Sequence, residues 1–221
     1  MKYLRKFETE GDVFMTIKPN VVMVGDTGDI LYNVDSSGVR IQHINGKVYT
    51  IEQWTDGGFA NEDANGVAVV DDKAIFVIAK TPTTNSSWTL WLPNSAVDGV
   101  MLTPDAEIAK TDYEGLKNTS VIVDKNVTGG AAYQCSNYLF PNGQKGYLPS
   151  LGEWMIVAKY KTEVKDALTL IGGTSIKQSW SSTQYSTTEA WVFTGSSANH
   201  RTKAPSGDAY TYIRAFTTLN P

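Results

Sequence analysis

The sequence contains a single cysteine, Cys135, among 221 residues. One thiol cannot form a disulfide within the chain. Secreted domains of this size often carry disulfides, so the count favours synthesis in a reducing compartment. The first ten residues are charged and lack the apolar stretch of about seven residues that a secretory signal needs. We therefore expect a protein that leaves its cell by a route other than secretion, or one whose signal has been removed.

Long apolar runs and strong net charge are also absent. No apolar run approaches the roughly 18 residues that a transmembrane helix needs, so no membrane insertion is expected. The 19 Lys and Arg residues are scattered and are outnumbered by 23 Asp and Glu residues. Counterion release therefore cannot drive binding, and no nucleic-acid partner is expected. The hydrophobic content of 41% predicts one or two folded domains.

Residues for catalysis and metal binding are few. His43 and His200 are the only histidines, and Cys135 has no C-x-x-C partner. His43 lies in an alternating strand pattern and is interpreted as a sheet-surface residue, and Cys135 as a buried helix residue. Residues 25–28 have the sequence G-D-T-G, but the second copy that an aspartic protease requires is missing. The sequence predicts no enzyme, no cofactor and no metal site.

Residues 1–50 have the patterns of β structure. Short apolar runs flank residues 25–28, and an alternating run ends at Asn45-Gly46, the strongest short hairpin signal. Two hairpins bury little apolar surface by themselves. We therefore predict that residues 1–50 form a β anchoring and oligomerisation segment, and that residues 51–221 form a separate domain. Three copies of the chain are expected to intertwine through the segment as a homotrimer.

Strand and helix patterns both occur after residue 50. The nearly continuous apolar runs at residues 66–70 and 74–79 predict two strands that are buried on both faces. Helix signals follow at four places: Asn118-Thr119 as a cap, residues 131–138, the Ser150–Glu153 capping box, and residues 162–171 before Gly172-Gly173. The predicted fold class is α+β.

The carboxy-terminal part of the chain has almost no aliphatic residues. From Lys177 to Tyr212 there is no Leu, Ile or Met, and aromatic residues stand among Ser, Thr, Gly and Asn. Two interpretations are open. The aromatic side chains either fill a small irregular core or form a binding face, because rigid aromatic rings give contact area at low entropic cost and small polar residues adapt to a ligand.

Four segments, in this order, resemble the C-type-lectin-like domains of phages and gut bacteria. They are GYLPSLGEW at Gly146–Trp154, WSSTQYS at Trp180–Ser186, Ala190-Trp191, and YIRAF at Tyr212–Phe216. The same fold group includes the phage major tropism determinant and formylglycine-generating-enzyme-like domains. The resemblance implies two helices against a small irregular antiparallel sheet, whose last strands and loops display a variable surface. It also implies roles for five residues: Trp154, Trp180, Trp191 and Phe216 in the core, and Arg214 as a buried or strand-end tether.

Motifs of two activities in this fold group are missing. The chain lacks the cysteine pairs and the E-P-N or W-N-D motifs of calcium-dependent sugar-binding lectins, and it lacks the paired active-site cysteines of formylglycine-generating enzymes. The resemblance instead implies a phage virion protein, a head or tail fibre or decoration subunit. Residues 1–50 would attach it to other virion proteins, and the domain would bind a glycan or protein on the host surface. A bacterial cell-surface or secreted adhesin of the same fold is the alternative.

The predicted ligand-binding residues lie between these four segments, where loops are expected to point away from the core. Phe193 and Tyr210 are the expected anchors, although a core position for both is the alternative. His200 and Arg201 are expected to supply directional hydrogen bonds. The full predicted set is Thr187, Thr188, Glu189, Phe193, His200, Arg201, Lys203, Asp208 and Tyr210.

Overall fold

The computed structural model describes residues 23–24, 30–31, 37–84, 90–125, 128–203 and 211–219. The strands are β1 (Met23–Val24), β2 (Ile30–Leu31), β3 (Gly38–His43), β4 (Val48–Tyr49), β5 (Ala64–Val70), β6 (Ile75–Ile78), β7 (Ser179–Gln184), β8 (Glu189–Phe193), β9 (Ala198–Thr202) and β10 (Phe216–Thr218). The helices are α1 (Ile51–Asp56), α2 (Ala106–Ala109), α3 (Gly115–Val123), α4 (Ala131–Ser136), α5 (Leu151–Lys159) and α6 (Lys161–Leu170). This mixture of helix and strand agrees with the predicted α+β class.

The strands form three antiparallel sheets. Among the described residues, β1 and β2 form a two-stranded sheet, a five-stranded sheet has the order β10-β6-β5-β3-β4, and a three-stranded sheet has the order β7-β8-β9. Both hairpins predicted within the first 50 residues are present. The second one, however, is part of the large sheet, because β3 pairs with β5 along its whole length. The predicted boundary at residue 50 therefore cuts through this sheet.

Strands β5 and β6 are the centre of the apolar core. All seven residues of β5 are buried, as the apolar run predicts. Val67 and Val69 pack with the residues of α6 in one apolar cluster, while Ala68, between them, points into a second cluster with Ala132 of α4. Alternate side chains of one strand thus serve opposite faces of the sheet, and helices cover both faces.

A helix is present at each of the four places where the sequence predicts one. α5 begins after Ser150, whose amide donates to Glu153 Oε2 at 2.7 Å. α6 ends before Gly172, which adopts a φ of +69°. The cap predicted at Asn118-Thr119 is wrong, because α3 begins at Gly115 and both residues lie buried inside it. The Asn118 side chain donates to Asp112 and Ser182, and the Thr119 hydroxyl donates to the carbonyl oxygens of Gly115 and Leu148, so neither accepts from an amide of α3.

Trp154 of α5 joins the two larger sheets. Its ring stacks on Phe193 of β8 at 4.9 Å and meets Phe216 of β10 edge to face at 4.8 Å. Its Nε1 donates to the Trp180 carbonyl oxygen at 3.0 Å. The expected core residues Trp154, Trp180, Trp191 and Phe216 are all at most 4% exposed.

Arg214 is buried, as expected for a tether. Its guanidinium donates to the carbonyl oxygens of Ala79, Thr174 and Ser175, with no carboxylate among its hydrogen-bond partners in the described part of the chain. The side chain therefore ties the end of β6 to the segment that precedes β7.

Candidate functional site

The turn between β7 and β8 and the neighbouring end of β9 form an exposed surface, which we call the tip surface. It consists of Tyr185, Thr187, Thr188, Glu189 and His200. The β8–β9 register places His200 opposite Trp191, and Thr202 opposite Glu189. Directly opposed residues of antiparallel strands share a face, so these side chains lie on the same side of the sheet.

The turn at residues 185–188 is held by hydrogen bonds of its own residues. The amides of Tyr185 and Ser186 both donate to the Glu189 carbonyl oxygen at 3.1 Å. The Ser186 hydroxyl accepts from the amides of Thr188 and Glu189. Thr187 and Thr188 are therefore left exposed at the end of a closed turn.

Three rings make up the aromatic part of the tip surface. Tyr185 and His200 stack with their centroids 3.8 Å apart and their planes 6° from parallel. Trp191 stands nearly perpendicular to both, at 5.1 Å from Tyr185 and 6.0 Å from His200. Trp191 is only 4% exposed, and its Nε1 donates to the Thr103 carbonyl oxygen at 3.0 Å. The half-exposed pair of rings therefore rests on a fixed support.

Glu189 supplies the charged group of the tip surface. Its Oε1 lies 2.9 Å from Nδ1 of His200 across the β8–β9 pair. Both side chains are about one-third exposed, at 31% and 38%. The contact orients the imidazole ring and leaves carboxylate and ring atoms accessible to a ligand.

Lys203 holds the tip surface from below. Its Nζ donates to the carbonyl oxygens of Ser95 and Thr187 and to Gln184 Oε1, at 2.8, 3.1 and 2.9 Å. The ammonium group also lies 4.4 Å from the centre of the Trp91 ring. Burial lowers the pKa of Lys203 to about 8, because the charged form loses its hydration.

Gln184 connects the same turn to the segment before α2. Its Oε1 accepts from the Val97 amide at 2.9 Å, and its Nε2 donates to the carbonyl oxygens of Val97 and Val100. The side chain is fully buried, and every one of these bonds crosses a long stretch of sequence. Gln184 and Lys203 together fix the turn on the body of the domain.

The structure divides the predicted ligand-binding set. It brings Thr187, Thr188, Glu189 and His200 together at the tip surface. Arg201 alternates with His200 along β9 and therefore faces the other side of the sheet, next to Asn199. Asp208 and Tyr210 lie outside the described residues.

Two predicted site residues are wrong as exposed ligand contacts. Phe193 is 1% exposed, because the alternation of β8 turns it with Trp191 toward α5, where it stacks on Trp154. The alternative interpretation of Phe193 as a core residue is correct. Lys203 is 0% exposed because its ammonium group is turned inward to three acceptors.

Sequence reasoning missed Tyr185 and Gln184 as parts of the site. Both lie in the WSSTQYS segment, which pointed to a core rather than to a surface. A polar residue at the end of a buried strand next to an aromatic residue was the available signal. It could not be used without the three-dimensional arrangement of the β7–β8 turn and β9, in which the ring of Tyr185 stacks on that of His200.

Glu153 is the strongest candidate for acid–base chemistry outside the tip surface. It borders a groove of about 690 Å³ between α3 and the β5–β6 turn, with Lys73 and Lys117 at its rim. Burial raises the pKa of Glu153 to about 7, although hydrogen bonds from Ser150 and Tyr147 oppose the shift. These bonds occupy both carboxylate oxygens, so the side chain caps α5 and holds Tyr147 in place.

Searches of the described residues and comparisons with known proteins add no assignment. No group of three or more His, Cys, Asp or Glu residues in the described ranges is placed to hold a metal ion. None of the helices in the described part of the chain is long and apolar enough to cross a membrane. No protein-family model matches the chain, and neither curated proteins nor solved structures show significant similarity to it.

Proposed function

We propose that this protein is a non-enzymatic subunit of a phage particle, a head or tail fibre or decoration protein, that binds a glycan or protein on the host surface. In this proposal the chain from residue 37 onward, which includes β3 and β4, is a C-type-lectin-like domain and the tip surface is its binding site. The proposal joins the sequence resemblance to one structural observation, which is the way the tip surface is built.

The observation that carries the proposal is a polar and aromatic surface held by a buried hydrogen-bond network. The stacked rings of Tyr185 and His200 offer apolar contact area with polar edges. Glu189 adds a hydrogen-bond acceptor that discriminates between ligands. Lys203 and Gln184 fix the turn, so little conformational entropy is lost when a ligand binds.

This combination of groups is better suited to binding a sugar or a polar protein surface than to catalysis. A sugar ring presents C–H groups on its faces and hydroxyl groups around its edge, and the tip surface offers aromatic area next to a carboxylate. Thr187 and Thr188 add exposed hydroxyl groups beside them. Paratopes that bind without catalysis use the same mixture of rigid aromatic and small polar side chains.

The binding experiment compares two triple variants of the full chain. The tip variant carries Thr188→Ala, Glu189→Gln and His200→Ala, and the control carries Thr162→Ala, Glu163→Gln and Lys145→Ala at exposed positions away from the tip surface. Each change should shift the free energy of unfolding by no more than about 0.5 kcal/mol. We expect the fluorescently labelled wild type and control to bind cells of at least one strain in a panel of gut bacteria. The tip variant should not bind.

Equal binding by the tip variant would place the site elsewhere and overturn the assignment of the tip surface. The particle assignment is tested separately, by mass spectrometry of purified virions. Detection of the chain in virions supports the proposal. Its absence from virions, together with detection on the bacterial envelope, would favour an adhesin.

We further propose that the subunit is a homotrimer that attaches to other virion proteins through its amino-terminal segment. Because β3 pairs with β5, the shortened chain for this test should begin at residue 37 and not after residue 50. Light scattering should give three copies for the full chain and one for residues 37–221. A monomeric full chain would contradict the trimer and leave the binding proposal intact.

A further inference from the structure

A second pocket lies at the opposite end of β8 from the tip surface. It has a volume of about 180 Å³ and lies between α6, the segment before β7 and the end of β8. Its apolar lining includes Val164 and Leu168 of α6, Ile176 and Phe193, and Lys161 and Lys165 stand at its edge. We propose that this pocket binds a small apolar carboxylate, with a ring or short chain among the apolar side chains and the carboxylate group at the two lysines.

The size of the pocket fits a group about as large as a benzene ring. An engineered protein cavity of about 150 Å³ lined by aliphatic and aromatic side chains stays dry and binds benzene. Phe193, Val164 and Leu168 are at most 2% exposed and form the closed floor of the pocket, where stacking on Trp154 holds the Phe193 ring in place. The ring or chain of a ligand would lie over this floor, against the half-buried Ile176 and the exposed Ser175. Because the floor is already packed, it needs no rearrangement when a ligand binds.

The charges at the edge of the pocket select an anion. Lys161 and Lys165 are four residues apart on α6, so their side chains lie on the same face and repel each other. Lys161 is also the first residue of α6, where the helix dipole disfavours a positive charge. A carboxylate between the two lysines would relieve both effects.

No acidic side chain of the described residues performs this function. Neither lysine has an ion-pair partner within 4.0 Å among these residues, in contrast to Lys110 and Lys159, which pair with Glu107 and Asp71. Glu163 and Asp166 are on the same helix, but their spacing from Lys161 turns them to other faces. The ammonium groups therefore remain available to a ligand at the pocket mouth.

The test uses 3-phenylpropionate and two probes of the same shape. The neutral probe is 3-phenylpropan-1-ol, and the cationic probe is 3-phenylpropylamine in its protonated form. Isothermal titration of the full chain at pH 7 should show the carboxylate binding at least about tenfold more tightly than the alcohol. The amine should bind least. Equal affinities for the carboxylate and the alcohol would overturn the proposed preference for an anion. No binding of the carboxylate up to 10 millimolar, roughly the weakest affinity class for a specific site, would overturn the proposal that the pocket binds a ligand.

Two variants and a control localise the effect. Lys161→Gln with Lys165→Gln should remove the preference for the carboxylate, whereas Lys125→Gln with Lys145→Gln removes the same charge at exposed positions elsewhere and should preserve it. Ser175→Trp places a large side chain at an exposed position of the pocket lining and should block all three probes. Unchanged carboxylate binding by either pocket variant would contradict the proposal. None of these changes touches the tip surface, so loss of probe binding and loss of host binding are separate results.

Discussion

Strands β5 and β7 are both completely buried, but their side chains have opposite chemistry. β5 has the sequence ANGVAVV and β7 has the sequence SWSSTQ, and every residue of each is buried. β5 is buried by apolar packing on both faces. The polar side chains of β7 are buried with their hydrogen-bonding groups satisfied, and those of Ser182, Thr183 and Gln184 bond to groups far away in the sequence.

Each hydroxyl of β7 has a specific partner. Ser181 donates to the Trp191 carbonyl oxygen, and Thr183 donates to Asp112 Oδ2 at 2.7 Å and accepts from the Leu151 amide. Asn118 donates to Asp112 and to the Ser182 hydroxyl. No buried side-chain polar atom in the described ranges lacks a partner. Such a network is stable only when it is complete.

The two strands fix the positions of their neighbours in different ways. Apolar packing depends on the area removed from water and has no preferred direction, so β5 accepts many partners of suitable volume. Hydrogen bonds require one geometry, so β7 specifies where α3, α5 and the segment before α2 must lie. We infer that the polar strand is what positions the tip surface, since Gln184 is its last residue.

The largest effect is expected from the residue that the two sheets share. Trp154→Ala removes the ring that contacts Phe193 and Phe216, and the remaining cavity should lower the free energy of unfolding by about 3–5 kcal/mol. Urea unfolding at one fixed protein concentration measures this change. Trp154→Phe keeps a six-membered ring but loses the Nε1 bond to Trp180 and part of the buried ring volume, so it should be clearly less destabilising than Trp154→Ala. Equal losses for the two variants would show that the packing of the retained ring does not join the sheets.

The comparison of apolar and polar strands is tested by two conservative substitutions, one in β7 and one in β6, which pairs with β5. Thr183→Val preserves shape but leaves the Leu151 amide and the Asp112 carboxylate each without one buried partner, so it should cost about 2–3 kcal/mol. Ile78→Val, in β6 beside β5, removes one buried methyl group and should cost about 0.5–1.5 kcal/mol. Urea unfolding of both variants decides the matter. If Ile78→Val is the more harmful change, the proposed difference between the strands is wrong.

The parts of the fold that were predictable from the sequence depend on neighbouring residues. The Asn45-Gly46 turn, the apolar run of β5 and the Ser150–Glu153 cap each carry their signal within a few positions. The start of α3 was missed because Asn118 bonds to Asp112 and Ser182, and Ser182 is 64 residues further along the chain. No local pattern records such a partner.

The candidate site was only half predictable for the same physical reason. Thr187, Thr188, Glu189 and His200 were predicted to be exposed because they lie between the segments that resemble C-type-lectin-like domains, where loops point away from the core. The burial of Phe193 depends on α5 covering one face of β8, which alternation alone does not reveal. The burial of Lys203 depends on three acceptors from separate segments, and a lysine is almost never buried without such compensation.

The acids next to these two strands should give opposite pH dependences. Burial raises the pKa of Glu153 from 4.5 to about 7, so the protonated form is favoured on folding and its contribution to stability is lost as the pH rises from about 4.5 to 7. Asp71, at the end of β5, behaves differently. Burial would raise its pKa, but hydrogen bonds led by that from Lys159 outweigh burial and lower it from 3.8 to about 2. Its contribution is lost as the pH falls from about 4 to 2.

Urea unfolding from pH 2 to 8 should therefore show greatest stability near pH 4–5 from these two groups, with a change of about 3 kcal/mol on the Glu153 side. Glu153→Gln should remove the decrease in the free energy of unfolding toward pH 7, because an amide does not titrate. The amide can still accept from the Ser150 amide and donate to Tyr147, so the fold should be retained. Asp71→Asn should remove the decrease toward pH 2 and leave the Glu153 side unchanged. An unaltered slope between pH 4.5 and 7 in Glu153→Gln would assign the titration to another group.

The smallest change in stability is expected at Lys203, where the polar network reaches the tip surface. Lys203→Met removes three hydrogen bonds but also removes the cost of burying an ammonium group, so the net change at pH 7 should be within about 1 kcal/mol. The pH dependence is the sharper measurement. Because the folded pKa of about 8 lies below the ordinary value of 10.5, stability conferred by the wild-type lysine should increase from pH 8 to 10.5, and the Met variant should lack this increase.

Host-cell binding by Lys203→Met tests whether Lys203 positions the tip surface or only occupies space in the core. If the Lys203 ammonium fixes the turn at Thr187, Lys203→Met should weaken host-cell binding although the fold is retained. Lys203→Arg should bind better than Lys203→Met but less well than the wild type, because a planar guanidinium cannot donate to all three acceptors in their present arrangement. The Glu163→Gln variant on α6 serves as the control with unchanged binding. If Lys203→Met binds host cells as well as the wild type, the tip surface keeps its shape without the hydrogen bonds of Lys203. The inference that the buried polar side chains position the binding site would then be wrong.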